Sequence, residues 1–574
     1  MDFTIEINNQ QVTASKGETI LEVLNRIGIE VPTLCSMKNY APTGACRMCV
    51  VEVEGRKNLI PSCSFKVEEW MKIKTHSPKV VKARKTIVEL LLADHPDDCL
   101  YCERNGSCEL QDLAEALHIR ERNLTGRKSH LPTDKSSLSI VKEPKKCILC
   151  RRCVRVCDEI VGVSTFERSY RGINSAIETA MHLPLSSSNC INCGQCTLVC
   201  PTAALTEKIN FAEISPFIHG SEKQVIALFS PTIPITIAEE FNIPLNKDLN
   251  GIVIAILRKI GFNKVFDTSF GADLVVMEQT WELLDRIKNN GKFPMFTSCC
   301  PAWVKYAEQY YPSLLPNLTS TKSPQQIMGA IIKTIYAQSE QLKAENIHTV
   351  AIMPCTAKKY EAMRPEMTQK GITEVDTVIT TRELIRLIKM YGINVLSIEP
   401  EQPDSFFSGK GSAGKLVGVS GGAAEAAART IYAAITGKEL SQSNLIEIRG
   451  FQGIKETSLN LDGKQLGIAV INGMANARIL LDEIIQGRDD IHFVEVMACP
   501  GGCINGGGQP INRGSKSLDI KKDSIYEIDS NESIKSAHLN PLIKNIYEKY
   551  LVSPYNPANF SILHTHYNKL DTMF

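Results

Sequence analysis

Twenty cysteines in 574 residues are too many for core packing alone, and most of them stand in tight CxxC-type groups. Such spacing gathers several thiolates on one loop, which suits metal better than disulfides in a reducing compartment. Cys35, Cys46, Cys49 and Cys63 form C-x10-C-x2-C-x13-C. His95, Cys99, Cys102 and Cys108 form H-x3-C-x2-C-x5-C. Cys147, Cys150, Cys153 and Cys157 form C-x2-C-x2-C-x3-C, and Cys190, Cys193, Cys196 and Cys200 repeat it with Pro201 directly behind. Structural zinc is the bland alternative. A zinc ribbon shows two CxxC knuckles where the first group has one, and zinc has no use for eight thiolates in the register of the last two groups.

The repeated run is the signature of two-cluster bacterial ferredoxins, in which the fourth cysteine of each run ligates the other cluster. It assigns Cys147, Cys150, Cys153 and Cys200 to one [4Fe–4S] cube, and Cys190, Cys193, Cys196 and Cys157 to a second. Four cysteines on a loop-bearing β region suit a [2Fe–2S] cluster at Cys35, Cys46, Cys49 and Cys63, with Gly44 helping the loop approach it. Three cysteines beside His95 supply four ligands for a third cube, and a neutral imidazole in place of a thiolate tends to raise its potential. Four such clusters make sense as a relay for single electrons, and a relay needs a terminus.

Five cysteines remain: Cys299, Cys300, Cys355, Cys499 and Cys503. Each sits where an apolar, strand-like run meets a loop, the usual place for a site in an α/β sheet. None has ferredoxin spacing, so any shared centre draws ligands from distant segments. Gly501, Gly502 and Gly506 to Gly508 are expected to let backbone pack directly against a bulky inorganic centre. Taken singly, each segment would pass for a buried thiol beside a turn.

These residues need elements to hold them. Residues 1–78 read as a small β-rich domain, with FTIEI and QVTA as paired strands, ETILEVLNRIG as a helix and MCVVEVEG as a further strand. Residues 79–125 open with the amphipathic run VVKARKTIVELLLADH, and 126–209 hold the two dense cysteine runs. From 210 to 574, apolar runs such as QVIALF, TVAIMP, LGIAVI and HFVEVMA alternate with amphipathic helices, which predicts α/β architecture. The fold class is multidomain α+β and α/β. A net charge of +1 and 43% apolar residues give no sign of nucleic-acid or membrane-surface binding. No apolar run approaches the roughly eighteen residues of a membrane span, and MDFTIEINNQQ lacks the pattern of a secretory signal, so a cytoplasmic location is expected.

FTSCCPAWV, MPCTAKKYEA and EVMACPGGCINGGG match TSCCPxW, MPCxxKxxE and ExMACxGGCxxGGG, the three signature motifs of [FeFe]-hydrogenases. The whole chain resembles a monomeric member of that family, of clostridial type, with four accessory clusters. The resemblance implies a β-grasp [2Fe–2S] domain, a His/Cys3 domain, a two-cluster ferredoxin domain, and a catalytic domain ending in a small-subunit-like segment, NESIKSAHLNPLIKNIYEKYL, expected to be helical. It implies that Cys300, Cys355, Cys499 and Cys503 hold a cubane, with Cys503 bridging to a diiron unit bearing CO, cyanide and an azadithiolate. The reaction implied is reversible 2 H⁺ + 2 e⁻ ⇌ H₂. Ferredoxin or flavodoxin is the expected electron partner, dedicated maturation proteins are required, and oxygen sensitivity follows.

Within that resemblance Cys299, the one cysteine without a metal, is the thiol that passes protons, and a partly buried thiol near neutral pKa would serve. Lys358 supplies a cation for a cyanide ligand. Pro231, Thr232, Ser323, Gln325, Met353 and Met497 match positions lining the diiron unit. Two departures stand on the family's proton path. Gln279 replaces a glutamate and cannot relay a proton by titrating, whereas Glu282 and Arg286 match. Thr319 replaces a serine and keeps the hydroxyl. Ser230 and Val417 also depart from common alanine and phenylalanine. Proton transfer is therefore expected to be slowed or rerouted through water. The chain has no GxGxxG nucleotide fingerprint, so the alternative of a catalytic subunit in an NAD-linked bifurcating complex requires partner subunits. A non-enzymatic iron–sulfur assembly or sensor protein of the hydrogenase-like group would be expected to lose this pocket.

Overall fold

A computed structural model describes residues 2–38, 40–220, 222–245, 247–407, 411–511 and 517–571. Alternation in the first residues turns Ile5, Ile7 and Ala14 inward, and strands Asp2–Ile7 and Gln10–Ser15 pair antiparallel. Strands Val50–Val53, Ile60–Pro61 and Lys72–Lys74 complete a five-stranded sheet in which Asp2–Ile7 lies parallel to Lys72–Lys74 at the centre. Helix Ile20–Arg26, closed by a Thr19/Glu22 capping box, buries Ile20, Val23 and Leu24 against it. This is the expected β-grasp.

Ser77 caps helix Pro78–Asp94, which runs straight into His95. Its Val88 joins Leu34 and Met48 of the β-grasp and Cys108 and Leu110 of the next segment in one small core. The two cysteine runs that follow sit on short helices, Arg152–Arg155 and Gln195–Val199, flanked by antiparallel pairs.

From 224 the chain forms two four-stranded sheets. In one, Lys264–Asp267, Gln224–Phe229, Ile347–Met353 and Thr377–Thr380 run parallel in that order and are buried almost throughout, which is why they read as unbroken apolar runs. In the other, Met295–Phe296, Phe493–Met497 and Lys464–Asn472 run parallel, with Ile454–Leu461 antiparallel at the edge. Strands Met295–Phe296, Ile347–Met353 and Phe493–Met497 each end a few residues before a cysteine segment, so three carboxyl ends meet at one place.

The stretch NESIKSAHLNPLIKNIYEKYL, expected to be helical, is a regular helix only over Pro541–Lys549, with a short helical turn at Ala537–Leu539; a further helix, Ser517–Asn531, leads into it. Pro541 has no N–H and sets a helix start rather than continuing one, and the Asn540 side chain caps Leu542 N. The segment is pinned further on, where Lys322 Nζ bonds the carbonyls of Ser561 and Ile562. No described helix is long and apolar enough to cross a membrane.

Candidate active site

Cys299, Cys300, Cys355, Cys499 and Cys503 all line one cavity, walled otherwise by mostly apolar groups. Pro301 starts a helix directly behind Cys300, and the buried Trp303 indole donates to Thr297 O at 3.0 Å, which fixes the turn carrying both cysteines. Pro231, Gln325, Met353, Met497 and Lys358 reach the cavity, as do Ser230 and Val417. Thr232 and Ser323 stand behind its wall: Thr232 sits 3.2 Å from Ser230 Oγ, and Ser323 donates to Glu361 Oε2 at 2.9 Å.

Gly502 and Gly506 line the cavity, and three of the glycines also pack tightly against neighbouring backbone. A Cβ on Gly506 would lie 2.2 Å from Pro354 O, one on Gly502 2.8 Å from Ser420 N, and one on Gly507 2.2 Å from Cys193 O. They let protein backbone pass against protein backbone, which draws the cysteine loops together.

Lys358 carries its charge into this apolar place. Burial works against it, but Glu361, 2.7 Å from Nζ, more than offsets that and raises its pKa. Glu361 also accepts from Ser323 and Gln325, while Gln325 Oε1 is buried with no partner. Sequence reasoning assigned Glu361 no role, although it is the final residue of MPCTAKKYE. The Cys299 thiol departs from the near-neutral expectation, because burial pushes it up to about 12; Cys300 adds to the rise and Lys358 opposes it. It therefore stays a protonated thiol at neutral pH.

Gln279, Glu282 and Arg286 lie on helix Ser269–Lys288. Glu282 is buried and accepts from Thr319 Oγ1 at 2.6 Å, Ser320 N at 3.1 Å and Arg286 Nη2 at 2.6 Å. Gln279 is buried beside them with its Nε2 unpartnered.

A second cavity is lined by Cys147, Cys150, Cys153 and Cys200 and not by Cys157. Cys157 instead sits in the electrostatic neighbourhood of Cys190, Cys193 and Cys196. In the β-grasp Cys35 contacts Cys46 and Cys63, and Cys63 contacts Cys49. Burial lowers the pKa of His95 to about 4, leaving the neutral imidazole a ligand needs. Cys99 is exposed beside it. Among the described residues no three ligating side chains crowd one point as a single ion requires. The thiols stand around voids, and buried N–H groups of Arg104, Arg152 and Arg155 near them have no protein partner. Such donor sets and orphaned donors fit multi-iron bodies with sulfur on their surface.

The two-cluster region is locked onto the cavity. Thr356, next to Cys355, donates to Asn192 O at 2.8 Å, and Ser139 Oγ donates to Thr356 O at 2.8 Å. Arg382 joins Glu207 to the carbonyls of Gly507 and Gln509. This arginine escaped sequence reasoning because no motif contains it.

A family model for the iron-only hydrogenase large subunit, C-terminal domain, matches residues 223–507. Others match a 2Fe-2S iron-sulfur cluster binding domain at 1–78, the NADH-ubiquinone oxidoreductase-G iron-sulfur binding region at 84–123, a 4Fe-4S dicluster domain at 146–204 and the iron hydrogenase small subunit at 516–570. The NADP-reducing hydrogenase subunit HndD of Solidesulfovibrio fructosivorans is 41% identical over 99% of both chains. Iron hydrogenase 1 of Clostridium pasteurianum is 37% identical over 99% of this chain and 100% of its own. The solved apo [FeFe]-hydrogenase HydA1 of Chlamydomonas reinhardtii, 34% identical, superposes with a TM-score of 0.56 over 62% of this chain and 97% of its own. Two relatives matched from end to end, and family models for every region that carries cysteines, place this chain in the [FeFe]-hydrogenase family.

Proposed function

We propose that the chain catalyses 2 H⁺ + 2 e⁻ ⇌ H₂ in the cavity at Cys299, with one [2Fe–2S] and three [4Fe–4S] clusters carrying electrons to it. The observation that carries this reading is the convergence of five cysteines and a paired lysine on one apolar cavity, with Gly507, next to the lining Gly506, packed against Cys193. Cys300, Cys355, Cys499 and Cys503 would hold a cubane, Cys503 serving also as the bridge to the diiron unit. When bound, that unit supplies the open iron coordination and the bridging amine at which hydrogen is split or formed.

The chain's own groups do the rest. Lys358, fixed by Glu361, presents a cation to an anionic ligand, and Pro231, Gln325, Met353 and Met497 shape a dry pocket in which that charge acts strongly. Cys299 keeps its proton and so stands as the donor nearest the centre. Glu282 and Thr319 form the next hydrogen-bonded pair, and Arg286 holds Glu282 toward the outer end of the route. Gln279 joins by hydrogen bonding alone.

For the electron partner, ferredoxin or flavodoxin suits a chain that carries its own relay and no nucleotide fingerprint. End-to-end similarity to a subunit named as NADP-reducing favours a second reading, in which this chain is the hydrogen-converting subunit of a nicotinamide-linked complex. Matured protein tests both. Infrared bands of CO and cyanide with hydrogen evolution from reduced ferredoxin support the first, and hydrogen-dependent NADP⁺ or NAD⁺ reduction only with partner subunits supports the second. Bands absent after maturation, with no hydrogen activity, would make the chain a scaffold rather than an enzyme.

A further inference from the structure

Glu278 is fully buried on helix Ser269–Lys288 and has no place in the proton route above. Both its oxygens are engaged, by Tyr547 Oη, by Tyr555 N at 2.7 Å and by His564 Nε2 at 2.9 Å. The other ring nitrogen, Nδ1, lies 2.8 Å from Ser320 Oγ, and Ser320 Oγ lies 3.1 Å from Glu282 Oε2. An unbroken hydrogen-bonded line thus runs from Glu282 through Ser320 and His564 to Glu278. The two carboxyl groups are one helical turn apart on the same helix, and the imidazole between them comes from the C-terminal segment.

Counting hydrogens makes this line more than a brace. Ser320 has one hydroxyl hydrogen and two neighbours able to accept it, Glu282 Oε2 and His564 Nδ1. When Ser320 donates to Glu282, Nδ1 must carry a hydrogen of its own, and with Nε2 donating to Glu278 the ring is an imidazolium. When Ser320 donates to Nδ1, the ring is neutral. The two arrangements differ by one proton and one rotation of a hydroxyl.

We propose that His564 stores protons for the hydrogen reaction, taking them from Glu282 through Ser320 and returning them, with Glu278 as its fixed counter-ion. In the loading step the O–H bond of a protonated Glu282 breaks as Ser320 Oγ takes that proton, and the former Ser320 hydrogen forms an N–H bond at Nδ1. No electron moves. Positive charge appears on the ring as negative charge returns to Glu282 beside Arg286. The charged groups facing His564 are Glu278 directly, Glu282 across Ser320 and Arg286 behind Glu282. The rings of Phe560 and Tyr555 close other sides at 4.4 and 5.6 Å, and nearby Lys322 is bound to Glu374. The store connects to Glu282, one turn along the helix from Gln279, the position that cannot titrate. This proposal rests on the proton route proposed above.

Two arms test it on the full-length chain. In unmetallated protein with ¹⁵N-labelled histidine, the His564 signal, assigned by its loss in H564Q, is expected to show both doubly protonated and neutral patterns as pH is varied. That change is altered in Ser320→Ala and restored in Ser320→Thr. In matured enzyme, H564Q and Ser320→Ala are expected to lower hydrogen evolution roughly 3- to 10-fold and displace its pH profile, with the apparent KM for the electron donor unchanged and Ser320→Thr recovering the rate. A His564 signal that keeps one pattern at every pH, or an evolution profile that keeps its parent shape in both variants, overturns the store and leaves His564 as a staple for the C-terminal segment. The first arm needs no metal centre, so failure of the hydrogenase reading itself, seen as missing infrared bands, is read separately.

Discussion

At the junction with the two-cluster region, Gly507 passes Cys193 O and Gly194 with no room for a methyl group, and Thr356 and Arg382 bond across it. Along helix Ser269–Lys288, Glu282 is held by side-chain hydrogen bonds from Thr319 and Arg286, and the Nε2 of buried Gln279 has no partner. The electron side is therefore intolerant of change and is built from cysteine and glycine at set positions. The proposed proton side transmits through exchangeable groups, and there Gln279 offers an amide that cannot titrate and Thr319 a hydroxyl.

The sharpest way to break the electron side is Gly507→Ala. Its Cβ would sit 2.2 Å from Cys193 O and 2.7 Å from Gly194 Cα, so the two-cluster region must move. Carrier-dependent hydrogen evolution is expected to fall at least about 100-fold, since small displacements of positioned groups cost factors of that order. Infrared bands of the diiron unit should survive. Evolution at the parent rate would show that the junction is not the electron path.

On the proton side, Glu282→Gln removes the titratable partner of Thr319 and leaves Arg286 without its buried carboxylate. Rates in both directions are expected to drop about 100-fold, in the range of a lost acid–base group. Stopped-flow or electrode measurement on one sample decides it; a loss confined to one direction would contradict a shared route.

The junction also bears on stability. Arg382→Ala strands Glu207, which is 3% exposed, without its cation, and an unpaired buried charge costs about 3–5 kcal/mol. Thermal unfolding should show the two-cluster region loosening first, where loss of a surface pair would move it by less than about 1 kcal/mol.

A smaller effect concerns the cavity rim. Asp273, held by Gly414 N at 2.8 Å and Asn540 Nδ2 at 2.9 Å, is raised by burial to about 6 from an ordinary 3.8. A folded-state pKa above the unfolded value means that its contribution is most favourable below about pH 4 and declines as pH rises to about 6. Asp273→Asn should therefore gain stability relative to the parent across that window, by about 2 kcal/mol. Denaturant midpoints at pH 4.5 and 7 test this; an equal difference at both would exclude it.

The cysteine sets, the β-grasp and the parallel sheets were readable because each rests on local spacing or on unbroken apolar runs. The glycine loops were read in place, with Gly502 and Gly506 on the cavity, but nothing local says that Gly506 also packs against Pro354. Glu361 was legible, three residues from Lys358 in its own motif, but Arg382 and the His564–Glu278 pair were missed for a related reason. Their partners arrive from distant segments, 286 residues away for His564, and burial with a specific partner leaves no periodic mark. In the C-terminal stretch the regular helix begins only at Pro541, whose ring suits a helix start and not a helix interior.

The account stands most directly on Gln279. Hydrogen evolution and uptake, measured on one matured sample of the parent and of Gln279→Glu from about pH 6 to 9, should differ. Restoring a titratable carboxyl next to Glu282 is expected to raise evolution severalfold, change the ratio of evolution to uptake and shift the pH profile, with the infrared bands unchanged. Identical rates and profiles in both proteins would mean that the proton side is as ordinary as the electron side.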